Sequence, residues 1–252
     1  MNSRLLQIID DLRLHGIRQA LDQQSLSQAF TSMSFADRLE NLLIEEQNYR
    51  MDRQRQRLFT GAKLKYRAHP QDIRFGQNRD IDRTLICELV TGQWVRNCEN
   101  VLISGPTGTG KSWIACALGV AAIHKGLTVR YLRTNPALEE MRLAHGDGSI
   151  AKLRNSWAKT SLLILDDFGI APISDIAKED LFELLEARHD RGSTIVVGQL
   201  STSDWHSYLD SPLLADAIMD RMMQRAYRLE LQGGSMRSRS PLRGQAPNSA
   251  LA

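Results

Sequence analysis

Residues 101–112 read Val-Leu-Ile-Ser-Gly-Pro-Thr-Gly-Thr-Gly-Lys-Ser, and this stretch decides the fold. A short apolar strand runs into the pattern G-x-x-x-x-G-K-[ST], and an alanine-rich segment of helical character follows. Glycines let the backbone curl so that its N–H groups point at phosphate oxygens, and the positive end of the helix adds to the attraction. Lys111 can reach the β- and γ-phosphates, and the Ser112 hydroxyl can ligate Mg²⁺. The predicted ATP-binding residues are Gly105, Pro106, Thr107, Gly108, Thr109, Gly110, Lys111, Ser112 and Trp113.

A second apolar strand, further along the chain, ends in two acids. Residues 162–167 read Leu-Leu-Ile-Leu-Asp-Asp. The carboxyl ends of parallel strands meet at one edge of a sheet, so these carboxylates should lie beside the glycine loop. We expect Asp166 to hold Mg²⁺ together with Ser112, and Asp167 to orient or activate the attacking water. Paired turn acids facing solvent are the alternative interpretation.

Around these two elements the pattern alternates between strand and helix. Strands are predicted at 101–104, 128–132, 162–165, 193–197 and 228–231, the last at a sheet edge. Helices are predicted at 113–124 and 178–188, with two helical stretches filling 136–158. The alternation predicts an α/β fold: a central parallel sheet flanked by helices on both faces.

The region before this α/β part reads as helical. Apolar residues recur at helical spacing from the N-terminus, and Ser34 precedes a second stripe with Asp37 at a helix start. Pro70 interrupts the pattern, and residues 80–96 then predict one more amphipathic helix. We therefore expect a small all-helical domain at 1–70, an ATPase domain at 71–238 and a flexible C-terminal tail at 239–252.

Bulk composition excludes several classes of protein. The 252 residues are 42% hydrophobic and 24% charged, with a formal net charge of +3. This is ordinary globular composition, and no apolar run approaches the roughly 20 residues of a membrane span. The N-terminus has no signal-peptide pattern, which predicts a cytoplasmic protein. The three cysteines and six histidines lack metal-ligand spacing, so reduced thiols and ordinary histidines are expected.

Together these stretches resemble AAA+ ATPases of the IstB/DnaC type. The generic part is the glycine loop, the acid strand extended by Phe-Gly to 162–169, and Ala-Ile-Met-Asp-Arg at 217–221. Four further short sequence segments favour the IstB branch, which comprises the helper ATPases of insertion-sequence transposition. They are Leu-His-Gly-Ile at 14–17, Phe-Ala-Asp-Arg-Leu at 35–39, Trp-His-Ser-Tyr-Leu at 205–209 and Gly-Ser-Met-Arg at 234–237. The resemblance spans about residues 12 to 238.

The resemblance implies roles for three more residues. Gln199 follows the fourth strand, where such proteins place a polar sensor of the γ-phosphate, although Asn is the more usual residue. Arg221 matches the arginine finger that reaches a neighbouring subunit's ATP, and Arg237 matches a second sensor. An exposed loop glutamine and a salt bridge on a helix surface are the alternatives for Gln199 and Arg221.

A run of basic residues with aromatic neighbours precedes the predicted boundary. Composition alone favours a solvated helix face, but the resemblance favours contacts with the phosphates of double-stranded DNA. The run consists of Arg50, Arg53, Arg55, Arg57, Lys63, Lys65 and Arg67. The helical stretches between the second and third strands add Arg142, Lys152 and Arg154 as further candidates for DNA contact.

The resemblance implies an ATP- and Mg²⁺-dependent helper of transposition. Such a protein forms homo-oligomers on target DNA and recruits or activates a cognate transposase. A DnaC-like loader of a replicative helicase is the alternative, with the same enzymology and a different partner. A nucleotide-gated scaffold with negligible turnover is a third hypothesis, which the paired acids and Arg221 disfavour.

Overall fold

A computed structural model describes residues 3–30, 32–75 and 81–236. Three helices precede the α/β part: α1 Ser3–Asp11, α2 His15–Leu26 and α3 Phe35–Ala62. Five strands follow: β1 Asn100–Ser104, β2 Val129–Arg133, β3 Leu162–Phe168, β4 Ser193–Gly198 and β5 Ala226–Glu230. They form one parallel sheet in the order β2-β3-β4-β1-β5. The parallel α/β prediction is confirmed.

Helices cover both faces of this sheet. They are α4 Arg83–Val90, α5 Gln93–Arg96, α6 Lys111–His124, α7 Thr134–Gly146, α8 Ile150–Ala158, α9 Asp175–Arg188, α10 Trp205–Leu209 and α11 Pro212–Met223. Alternate strand residues point to opposite faces, so Val101 and Ile103 join one core with α4, α5 and α6. Leu102 joins the other core with α7 to α11. Burial on both faces explains why the inner strands β1, β3 and β4 contain continuous apolar runs, whereas the edge strands β2 and β5 also carry charged residues.

Two predicted elements differ from the structure. The single helix expected at 80–96 is two helices, because Gly92 adopts a left-handed φ of 75° between α4 and α5. The Trp94 indole N–H then donates to the Leu89 carbonyl at 2.7 Å and fixes the bend. Strand β3 continues beyond Leu165 through both acids to Phe168, with an irregular register against β4.

Helices α2 and α3 are joined by a buried acid. The Glu46 carboxylate accepts hydrogen bonds from the Gly16 and Ile17 backbone N–H groups, at 2.7 and 3.2 Å, and so caps the start of α2. A Cβ on Gly16 would lie 2.6 Å from the Glu45 carbonyl oxygen, so only glycine permits this approach. At the start of α3, Ser34 accepts the Asp37 backbone N–H at 3.2 Å, and the helix begins where the sequence predicts.

The end of α3 packs against the ATPase core. Ala62, Ala68 and Ile73 are buried in the same cluster as α6 and the strands, and Leu58 and Phe59 pack against it. The division between domains at residue 70 stays a prediction, and the tail at 239–252 lies outside the described residues. None of the helices within the described ranges has both the length and the apolar character that crossing a bilayer demands.

Candidate nucleotide-binding site

The glycine loop joins β1 to α6 as the sequence predicts. Gly105, Gly108 and Gly110 have φ values of 133°, 87° and 93°, which lie in the region that residues with a side chain avoid. Helix α6 starts at Lys111, so the loop leads directly into a helix N-terminus. Backbone N–H groups and the helix dipole therefore both favour an anion at this point.

The chain after β5 packs against this loop, a contact that no local sequence pattern predicts. The Met236 backbone N–H donates to the Gly108 carbonyl at 2.7 Å. A Cβ on Gly105 would lie 2.1 Å from the Leu231 carbonyl oxygen, and one on Gly108 would lie 2.3 Å from the Ser235 Oγ. Two of the loop glycines are thus required by packing as well as by their backbone angles.

Two loop side chains face the site. Lys111 is buried, and its ammonium group donates to the carbonyls of Gly105 and Pro106 at 2.6 and 2.8 Å. The Ser112 hydroxyl donates to Asp166 Oδ1 at 2.9 Å. The structure therefore brings the serine and the first acid together, as the two predicted magnesium ligands require.

Asp166 is held by donors from several elements. It is 1% exposed; its Oδ2 accepts the Tyr131 hydroxyl at 2.5 Å, and its Oδ1 also accepts the Asp167 backbone N–H at 2.9 Å. The Thr134 hydroxyl donates to the Asp166 backbone carbonyl at 2.9 Å. Burial and the bond to Asp166 raise the pKa of Tyr131 far above its ordinary value, so the phenol keeps its proton and stays a donor. Sequence reasoning missed Tyr131 and Thr134.

Asp167 occupies an uncommon backbone conformation. Its φ of 63° is left-handed, which is rare for a residue other than glycine and recurs at functional sites. The half-buried side chain accepts a hydrogen bond from Arg133 Nε at 3.1 Å. The two adjacent acids are therefore separated in role: Asp166 is fixed inside the fold, and Asp167 pairs with an exposed arginine at the end of β2.

These residues surround one cleft of about 770 Å³, a volume typical of ligand sites. Gln199 follows β4 and accepts the Thr107 hydroxyl at 2.8 Å, so it lies where the resemblance predicted a sensor. Trp113 also lines the cleft. The remaining lining residues include Lys65, Tyr66, Gln71, Asp72, Ile73, Arg74, Val197, Gly198 and Met236. No local sequence pattern predicts that the segment after α3 lines the nucleotide cleft.

Arg221 lies at the amino ends of the strands, opposite the end that carries the glycine loop. Its backbone carbonyl accepts the side-chain amide of Asn100, the first residue of β1, at 3.0 Å, whereas the glycine loop follows the last residue of β1. The guanidinium pairs with Glu186 and, at 2.5 Å, with Asp220, and these partners raise the pKa of Arg221. Arg221 cannot serve the nucleotide of its own chain from here. Arg237 lies outside the described residues, which end at Met236.

Three members of the basic run form ion pairs inside the chain, and the Arg53 guanidinium lies 6.0 Å from the centre of the Tyr49 ring. Arg50 donates to the buried Glu46 at 2.7 Å and so supports the cap on α2. Arg55 pairs with Asp52 at 3.1 Å on α3. Lys65 lines the nucleotide cleft and lies 3.7 Å from Asp166, and its predicted contact with DNA stays a prediction. Basic residues that are close together in sequence therefore have different surroundings in the structure.

The other members of the run are exposed. Arg53 and Arg57 are four residues apart on α3 and share one side of the helix. Lys63 and Arg67 follow the helix and also face solvent. Among the candidates between β2 and β3, Arg142 pairs with Glu139 and Arg154 pairs with Glu183, while Lys152 is exposed. Arg53 and Arg57 are the members best placed to meet a polyanion.

The fold and the site together define a class of protein. A parallel sheet with the glycine loop after β1, the acid pair on β3, a polar residue after β4 and an arginine before β5 is the arrangement of an AAA+ P-loop ATPase. The chain belongs to the IstB family: the model described as "IstB-like ATP binding protein" matches residues 7–244.

Known proteins agree with this assignment. An insertion-sequence ATP-binding protein of Sinorhizobium fredii is 38% identical over 229 residues, which is 91% of this chain and 94% of the relative. The ATP-binding protein of insertion sequence IS1162 from Pseudomonas fluorescens is 42% identical over 204 residues, or 81% and 88% of the two chains. The crystal structure of the DnaC helicase loader covers 68% of this chain and is itself covered completely, with 17% identity and a TM-score of 0.56. The last likeness concerns the fold alone.

Proposed function

We propose that this ATPase is a helper of DNA transposition that assembles on double-stranded target DNA and recruits or activates a transposase. The observation that carries the proposal is the likeness to ATP-binding proteins of insertion sequences along nearly the whole chain. It includes the helical N-terminal region, not only the ATPase core. A partner-specific role needs such a region, because the ATPase core is shared with proteins of other functions.

ATP hydrolysis is assigned to the residues around the cleft. Lys111 and the loop N–H groups bind the phosphates, and Gln199 touches the terminal phosphate or the attacking water. Ser112 and Asp166 fit a Mg²⁺ site, because a hydroxyl and a carboxylate oxygen lie 2.9 Å apart beside the phosphate loop. Bound there, Mg²⁺ would neutralise charge on the phosphates. Asp167 accepts the proton of the attacking water once its carboxylate is free of Arg133.

DNA contact is assigned to the exposed side of α3 and the segment after it. Arg53 and Arg57 would bind backbone phosphates, with Lys63 and Arg67 extending the track. Contacts of this kind do not read base sequence, so binding should tolerate many sequences and weaken with salt. Arg221 is assigned to the ATP of a neighbouring subunit, which would make the oligomer dependent on ATP.

A DnaC-like helicase loader remains the second candidate. It is favoured by the shared fold of the DnaC structure, but a likeness at 17% identity does not distinguish partners. A scaffold with negligible turnover is disfavoured, because both acids are held next to the phosphate loop by dedicated donors.

The deciding experiment measures strand transfer by an insertion-sequence transposase, on a DNA target, with and without this protein and ATP. We expect insertion to require both the protein and ATP, and Lys111→Ala to abolish the effect. A parallel pulldown compares that transposase with the host replicative helicase. Capture of the helicase alone, with no effect on insertion, would replace the transposition proposal by the loader.

A further inference from the structure

The segment after α3 places a second lysine in the ATP cleft. Lys65 Nζ lies 3.7 Å from Asp166 Oδ2, and its side chain is 35% exposed. Lys65 follows α3 in the N-terminal region, so it is not part of the glycine loop, and it lines the same cleft as that loop. Nothing in the phosphate-loop pattern calls for a cation at this position.

The backbone that carries Lys65 is fixed on α6. Lys63 has a left-handed φ of 50° and ends α3. Leu64 Cδ2 then lies only 3.2 Å from where a Cβ of Gly119 would be, and Ala68 is buried. Backbone groups of Lys65 and Tyr66 hydrogen-bond the Cys116 thiol, whose burial raises its pKa to about 11. The backbone that carries the Lys65 side chain is therefore held by packing against α6.

Both acids at the end of β3 form an ion pair within the chain. Asp166 has Lys65, and Asp167 has Arg133. A triphosphate entering the cleft brings several negative charges close to both carboxylates, and like charges at a few ångströms repel strongly when partly buried. A bound divalent ion removes that repulsion at Asp166, but a metal-free nucleotide has only side chains to offset it.

We propose that Lys65 is an internal cation that stands in for the divalent metal at Asp166. It neutralises the carboxylate from the Oδ2 side so that the nucleotide can enter without metal, and its charge is no longer needed when the metal binds the Oδ1 side next to Ser112. Lys65 is thus a positioning residue for the charge of the site. The inference depends on the ATP site and is independent of the proposed role in transposition.

The test compares nucleotide affinity with and without metal, using a fluorescent ATP analogue in excess EDTA or in saturating Mg²⁺. For Lys65→Met we expect affinity in EDTA to fall about tenfold, because one partly buried charge is lost, and affinity in Mg²⁺ to stay within about twofold. Lys65→Arg should keep the wild-type ratio in both conditions. Lys125→Met is the matched control, since Lys125 is an exposed lysine at the far end of α6 and does not line the cleft.

Two results would overturn the proposal. An equal loss of affinity in EDTA and in Mg²⁺ would make Lys65 an ordinary phosphate ligand, and unchanged affinity in EDTA would make the Lys65–Asp166 pair irrelevant to nucleotide entry. Circular dichroism and the melting temperature of each variant, measured without nucleotide, identify a folding defect. If Lys65→Met is misfolded, Lys65→Gln is measured in its place. An equal loss of affinity relative to wild type in EDTA and in Mg²⁺ would again contradict the proposal.

Discussion

Arg133 Nε lies 3.1 Å from Asp167 Oδ2, so the last residue of β2 holds the acid that we assign to the attacking water. The pair joins two neighbouring strands at their carboxyl ends. A carboxylate oxygen that accepts a hydrogen bond from a guanidinium is not available to the attacking water, so we expect Arg133 to restrain hydrolysis. The pair is exposed on the arginine side, so this restraint is weak and can be released.

Arg133→Ala should raise ATP turnover in the absence of DNA. An exposed ion pair contributes about 0.2–1 kcal/mol, which corresponds to at most about a fivefold increase in rate. Phosphate release at saturating ATP measures the effect. Arg142→Ala is the control, because Arg142 is also an exposed, ion-paired arginine and does not line the cleft. A clear fall in turnover would show that Arg133 assists the reaction.

Lys111→Ala should weaken ATP binding by about 10- to 100-fold, because a hydrogen-bonded charge facing the phosphates is removed. Lys125→Ala, at the other end of α6, should bind normally. Equilibrium binding of a fluorescent nucleotide in Mg²⁺ gives both affinities. An affinity for Lys111→Ala within about twofold of wild type would contradict the assignment of the phosphate loop.

Asp167→Asn should keep ATP binding but lower turnover by about 10²- to 10⁴-fold, the usual contribution of a general base. Asp166→Asn should instead raise the Mg²⁺ concentration needed for half-maximal binding. Titrations with Mg²⁺ and single-turnover hydrolysis separate the two effects. Normal turnover by Asp167→Asn would give this acid a structural role.

Removing Arg53 and Arg57 together should weaken DNA binding and flatten its salt dependence. Each lost phosphate contact lowers the slope of log K against log salt by about 0.9. Fluorescence anisotropy of a labelled duplex at several salt concentrations measures both quantities. The double variant Arg142→Ala with Arg154→Ala removes the same net charge from ion-paired positions and should change little. An unaltered slope for the first variant would show that Arg53 and Arg57 face solvent and do not contact DNA phosphates.

Arg221→Ala should bind ATP almost normally and fail to hydrolyse it, because we assign Arg221 to the nucleotide of a neighbouring subunit. Mixing it with Lys111→Ala should restore part of the activity, since a mixed interface can pair an intact loop with an intact arginine. Arg225, exposed just before β5, is tested in parallel because Arg221 is already paired with Glu186 and Asp220. If mixed assemblies form but remain inactive, Arg221 does not act in trans; a defect confined to Arg225→Ala would move the role there.

Local patterns were sufficient to predict much of this protein. Glycine spacing determines where the phosphate loop bends, and an apolar run ending in acids predicts a buried strand with carboxylates at its end. The Ser34 cap and the helical stretch after it are also local, because they depend on residues within one turn. Gly92 shows the limit: its left-handed backbone divides a segment whose apolar spacing predicted a single helix.

The sequence by itself determined the α/β class, the ATP site and the kinship with the IstB family, since each depends on residues that are close along the chain. Only the tertiary structure decided which side chains would share a site across long separations. In the folded chain Lys65 lies in the ATP cleft, although it belongs to the basic run in sequence. Tyr131 donates a hydrogen bond to Asp166, and Arg133 donates one to Asp167. Arg50 forms an ion pair with Glu46. The physical reason is that these contacts depend on how strands align in the sheet and how α3 meets α6. Packing of the whole core sets that geometry, and local periodicity does not encode it.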